Sequence, residues 1–239
     1  AIAEKGRAVM LFASAPSQHA AWKHLIRLWK AMPEEKQRKL ADGIIAFHMD
    51  EYLGLPENAP QLFGKVLRER VFSVLGIRPE NTFYFNDRLT YDTEDARAKV
   101  RAHAAELSAK FKEFGGVFDI VMGGIGKLPH LAFNDPPEAK FNDPETIKIV
   151  SLTEDSRMQQ VIDQEFKKLE DVPLYAMTFS LNPIIHARRI HIMVPRQFKA
   201  ESVRRSLDLP VTEENPASGL RLPDVLLNVH IYLDKEAGS

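Results

Sequence analysis

Short apolar runs alternate with longer segments of helical period along this chain, and that alternation restricts the fold more than any other feature. The runs at residues 8–13 (AVMLFA), 43–49 (GIIAFHM), 82–86 (TFYFN), 118–124 (FDIVMGG), 147–152 (IKIVSL), 175–179 (YAMTF), 189–195 (RIHIMVP) and 225–233 (VLLNVHIYL) read as strands. Helical period is clearest in QHAAWKHLIRLWKAM, PQLFGKVLRERVFSVLG, TEDARAKVRAHAAELSAKFKEF, DSRMQQVIDQEFKKLED and KAESVRRSLDL, where apolar residues fall three and four apart. Strands that are apolar on both faces and spaced by helices predict an α/β fold with a mainly parallel sheet covered on both sides. Ligands of such a sheet bind beyond the carboxyl ends of its strands. No repeat or low-complexity linker divides the 239 residues, so a single domain over 1–239 is expected, with LPVTEENPASGLRLPD as a surface connection within it.

Charge and composition narrow the range of partners. The 32 basic and 33 acidic residues are interspersed and leave a formal net charge of -1, which argues against nucleic acid or an acidic membrane as partner. With no cysteine, disulfide and thiolate chemistry are excluded. No apolar run has the length of a membrane span and AIAEKGRAVM lacks a signal-peptide pattern, so a cytoplasmic location is expected. The first residue is not methionine, and some native residues are expected to precede Ala1.

The strand-end rule selects two places. The second strand runs into Asp50 and Glu51, where a carboxylate pair can cap a helix and pair with lysines, or can supply a proton-abstracting base. Side chains alternate along extended backbone, so Asp50 is the candidate base and Glu51 turns to the opposite side in a structural role. His48 could form an H-x-D metal pair with Asp50, but a lone strand histidine is more often a hydrogen-bonded core residue. The fourth strand runs into MGGIGKLPHLAFNDPP, residues 122–137. Gly124 and Gly126 would let backbone approach a ligand, although GGIGK has neither the spacing of a P-loop nor the third glycine of a dinucleotide fingerprint. His130 and Asp135 lie close enough in sequence for the carboxylate to orient the imidazole.

FHMDEYLGLP, MGGIGKLPHLAFNDPP, SLTEDSRMQQ, VPRQFKAESVRRSL and NPASGLRLPDVLLNVHIYLDKEA occur in an order and at a spacing that resemble the glucosamine-6-phosphate deaminases, also called isomerases. The resemblance runs over residues 8–237. It implies a three-layer α/β sandwich of the ribose-5-phosphate-isomerase type, a sugar phosphate as ligand, and no metal or organic cofactor. It implies that Asp50 moves a proton between C1 and C2 of the open-chain sugar, that His130 opens the pyranose ring, and that Asp135 holds the imidazole. It also implies that Lys199 contacts the substrate phosphate and that Arg157 occupies a position near the site. Such enzymes often assemble into homo-oligomers.

The departures are as specific as the matches. Leu128 and Pro129 replace an aspartate and a glycine before the histidine, so Asp135 is expected to orient His130 alone. ASAPSQ replaces a glycine-bearing phosphate turn, which leaves the hydroxyls of Ser14 and Ser17 as the expected anion ligands. TFSLNP and PRQFKA replace two further glycine segments, and Ile162 stands where the family has an arginine. Three functions therefore stay open: a divergent amino-sugar-phosphate isomerase or deaminase, a non-catalytic sugar-phosphate binding protein, and a lactonase of the related 6-phosphogluconolactonase type. Retention of Asp50, His130 and Asp135 favours the enzyme. The identity of the sugar phosphate is not encoded in any of these motifs.

Overall fold

The computed structural model describes residues 1–86 and 88–238. A short helix α1 (Ile2–Lys5) leads into β1 (Ala8–Phe12), followed by α2 (His19–Lys30), α3 (Glu34–Gly43), β2 (Ile44–His48), β3 (Asp50–Leu53) and α4 (Phe63–Leu67). Next come β4 (Thr82–Phe83), α5 (Glu94–Glu113), β5 (Ile120–Gly123), β6 (Ile147–Ser151) and α6 (Glu154–Ile162). The chain closes with β7 (Tyr175–Phe179), α7 (Leu181–Ile185), β8 (Ile190–Val194), α8 (Ala200–Asp208) and β9 (Val229–Leu233).

Six strands form a wholly parallel sheet in the order β4-β2-β1-β5-β8-β9. The central strands β1 and β2 are buried on both faces, which is why they lack polar alternation, whereas the edge strand β9 leaves His230, Tyr232 and Leu233 exposed. Val9, Leu11, Ile45 and Phe47 point into one apolar layer, which α5 joins through Val100, Leu107 and Phe111. Phe12, Ile44 and Ala46 point into the other, with Trp22, Trp29, Leu67 and Phe72. The expected layered α/β architecture is present.

Three strands stand apart from this sheet. They pair as an antiparallel sheet, β3-β7-β6. Apolar runs alone do not encode a partner strand, and nothing in YAMTF or IKIVSL marked them as antiparallel. Phe179 of β7 reaches the ring of Phe47 at 5.9 Å and thereby ties the small sheet to the main core. Met49 joins the two sheets: its N–H donates to the Phe12 carbonyl, and its own carbonyl accepts from the Phe179 N–H, both at 3.0 Å.

Several element boundaries differ from expectation. The segment 60–76 is not one α-helix: α4 passes into a π-helical turn, Arg68–Phe72, closed by Ser73 N–H donating to the Arg68 carbonyl at 3.1 Å. The segment expected to be helical through Asp171 ends at Ile162, and α3 forms from EEKQRKLADG, which its low apolar content concealed.

Candidate active site

Strand order reverses between β1, whose sequence neighbours β2 and β4 lie to one side, and β5, with β8 and β9 to the other. A crevice opens at such a switch point beyond the carboxyl ends of the strands. Here it is a cleft of about 180 Å³. Ser14 and Ser17 enter it after β1, Asp50 after β2, Gly124, Gly126 and His130 after β5, and Lys199 after β8. Asp135 stands directly behind His130. Glu51 and Arg157 are not on the cleft wall.

Asp50 and Glu51 separate because β3 is extended. Asp50 lies at the seam of the two sheets and is 7% exposed. Burial pushes its carboxyl up from 3.8 to about 7, which makes it both a proton acceptor and a proton donor near neutrality. Glu51 turns to the start of α4, where Oε1 accepts from the amides of Tyr52 and Phe63 and Oε2 from Gly64 at 2.8 Å. Burial outweighs these three donors and pushes Glu51 up to about 8. His48 Nδ1 accepts from the Phe85 amide at 3.4 Å, and burial lowers the imidazole to about 3. Neutral and enclosed, it is a core histidine; no group of three or more metal-ligating side chains occurs among the described residues.

His130 is fixed from several sides. Nδ1 lies 2.5 Å from Asp135 Oδ1, and Asp135 Oδ2 accepts from Thr153 Oγ1 at 3.2 Å and from Ser156 Oγ. Burial alone would raise Asp135, but the bonds from His130, Ser156 and Thr153 prevail and hold it below the usual carboxylate range. Asp135 is therefore not alone: the start of α6 supplies two hydroxyls that sequence reading missed. The clue was TEDS, a threonine N-cap whose Oγ1 accepts from Ser156 N–H at 3.1 Å, with the serine three residues on.

The loop glycines serve closeness rather than unusual backbone angles, since neither Gly124 nor Gly126 has positive φ. A Cβ on Gly126 would fall 2.0 Å from His130 Nε2, and one on Gly124 would fall 2.9 Å from Ser17 Oγ. The direct need for glycine is thus the packing of His130 and Ser17. Pro129 is the middle residue of a three-residue turn in which His130 N–H donates to the Leu128 carbonyl at 2.6 Å, and the Pro129 carbonyl accepts from Ala217 N–H at 2.7 Å. The LP pair therefore stiffens the histidine loop and moors it to the 216–221 turn.

At the far end of the cleft, Lys199 Nζ donates to the Ile125 carbonyl at 3.0 Å, and burial lowers it to about 8. Asp163, Glu165, Arg70 and His19 also line this end, and none of them was singled out from the sequence. Arg157 instead donates to the Leu169 carbonyl at 2.7 Å and to the Val172 carbonyl, holding the chain after α6.

No protein-family model matches the sequence. The glucosamine-6-phosphate deaminase of Thermoanaerobacter pseudethanolicus is 30% identical over 239 residues, covering 100% of this chain and 85% of the relative. The chain belongs to the glucosamine-6-phosphate deaminase family. Another member, glucosamine-6-phosphate deaminase 1 of Bacillus subtilis, is 28% identical over 238 residues, covering 100% of this chain and 89% of that one. The solved structure of a monomeric glucosamine-6-phosphate deaminase superposes with a TM-score of 0.80 at 26% identity, covering 99% of this chain and 89% of its own. A 6-phosphogluconolactonase from Thermotoga maritima shares the fold, with a TM-score of 0.69 at 13% identity, covering 97% of this chain and 87% of its own. Like its relatives in this family, the chain is an enzyme, and no helix among its described residues is long and apolar enough to cross a membrane.

Proposed function

We propose that this enzyme converts an amino-hexose 6-phosphate, glucosamine 6-phosphate foremost, to the ketose phosphate with release of ammonia. One observation carries the proposal: Asp50, with a carboxyl near 7, and His130, braced by Asp135, line a single cleft at the carboxyl ends of the parallel strands. Ring opening needs a proton moved from the anomeric hydroxyl to the ring oxygen, and a buried imidazole with one nitrogen held by a carboxylate leaves the other free to relay it. Asp50 then removes the C2 proton, giving an enolamine, and returns a proton to C1 to leave the C2 imine. Water adds to the imine and ammonia departs. Ser14, Ser17 and Lys199 take the phosphate end, while Gly124 and Gly126 let the walls close around Ser17 and His130.

The test is a coupled assay of ammonia and ketose 6-phosphate from glucosamine 6-phosphate. Asp50→Asn is expected to cut kcat by about 10³-fold or more, while His130→Ala spares an open-chain analogue relative to the cyclic substrate. Hydrolysis of 6-phosphogluconolactone without ammonia release would replace this reading with the lactonase one. Ligand-induced stabilisation with no turnover of either substrate would replace it with a binding protein.

A further inference from the structure

The basic side chains at the far end of the cleft are not equivalent. Lys199 is buried against the Ile125 carbonyl, and the charge of the Asp163 carboxylate acts on it. Arg196 lies 3.9 Å from the same Asp163, which Gln159 Nε2 steadies at 2.8 Å. His19 is driven toward its neutral form by burial and by Arg70 and Arg196. Glu165 adds a second acid to this end. Arg70 is the cation here that no hydrogen bond or ion pair engages among the described residues: it is exposed, it lines the cleft with Ser14, Ser17 and Lys199, and its charge acts on the Glu165 carboxyl without a direct contact between them.

The backbone places it there for a reason. In a continuous α-helix Arg70 would share the shoulder of the face that buries Leu67, three residues earlier. The wider π turn rotates Arg70 off that face and carries Phe72, 1% exposed, into the core beside Val71. Such turns recur at functional sites.

We propose that Arg70 is the principal ligand of the substrate's terminal phosphate, with the Ser14 and Ser17 hydroxyls and Lys199 in support. This rests on the sugar-phosphate reading above and adds a residue to it. A guanidinium offers two parallel N–H donors to two phosphate oxygens, and it stays charged where a buried lysine does not.

The experiment compares the parent with Arg70→Ala and Arg70→Lys in glucosamine 6-phosphate kinetics, and in binding of inorganic phosphate, hexitol 6-phosphate and unphosphorylated hexitol. The expected result for Arg70→Ala is a KM raised about 10- to 100-fold with kcat within about threefold, weaker phosphate and hexitol 6-phosphate binding, and unchanged hexitol binding. Arg70→Lys should recover part of the loss, and an unaltered ligand-free melting temperature would exclude misfolding. Unchanged KM and phosphate binding in Arg70→Ala, or a fall in kcat alone, overturns the assignment while leaving the function intact. A parent that binds and turns over no sugar phosphate overturns both.

Discussion

Gly126 shows how closely the histidine loop is built. Its missing side chain is occupied by the edge of the His130 ring, so Gly126→Ala must drive the imidazole from its place or push the loop outward. Overpacking of this kind costs about 1–3 kcal/mol. We expect the variant to fold with a modestly lowered melting temperature and to lose ~100-fold or more in kcat; near-parental kcat would show that His130 need not sit where it does. That this loop ends beside Asp50 was legible in the sequence, because two polar clusters each follow an apolar strand. The alternation that separates Asp50 from Glu51 was legible for the same reason. What Leu128 and Pro129 do was not: a proline carbonyl tied to Ala217 depends on a turn nearly ninety residues away, and no local pattern announces it. Arg70 left no trace either, since its direction depends on one widened helical turn.

At the scale of elements, α6 matters more for its first turn than for its length. Thr153 caps the helix and Ser156 sits at its third position, and both hydroxyls converge on Asp135 Oδ2. Ser156→Ala removes one donor from a buried carboxylate, for which a loss of ~1–3 kcal/mol is usual. A fall in kcat of about tenfold with KM little changed is the expected outcome, and Ser156→Thr should restore part of it; a variant with parental kcat would assign Ser156 to stability alone. The helix was legible as a helix because its apolar residues recur at the right period, but its end was not. QEFKKLED continues that period while the chain turns away at Asp163 and Gln164, the latter with φ of 63°. The small antiparallel sheet was hidden in the same way, since pairing partners are set by tertiary packing and not by the strands' own residues.

For the molecule as a whole, the buried acids tie stability to pH. Asp50 and Glu51 hold their protons up to about 7 and 8 when folded, against ordinary values of 3.8 and 4.5 when unfolded. Because the folded values are raised, the stabilisation they give is complete below pH ~4 and is lost as pH climbs through 7 to 8. His48, lowered to about 3, works the other way: its contribution is present above 6.5 and lost on acidification. Asp50→Asn isolates the first effect. Its melting temperature should exceed that of the parent by a margin that widens from pH 5.5 to 8.5, with a difference on the order of 2–4 kcal/mol at the alkaline end. A margin that stays constant over this range would refute the burial argument. The parent's kcat/KM should rise through pH 7 as Asp50 ionises and decline above about 8 as Lys199 gives up its proton. Met49 has a further consequence, one that concerns the inheritance of length. Its two backbone groups lock β2 into one sheet and β3 into the other, so deleting a single codon between positions 44 and 49 would bring Glu51 to the place of Asp50 at the cleft, and inserting one would bring Met49 there. Homologous genes should therefore hold a constant count of residues across the seam, and vary in length instead in the loop around residues 55–59, ahead of the cleft-lining Pro60 and Gln61.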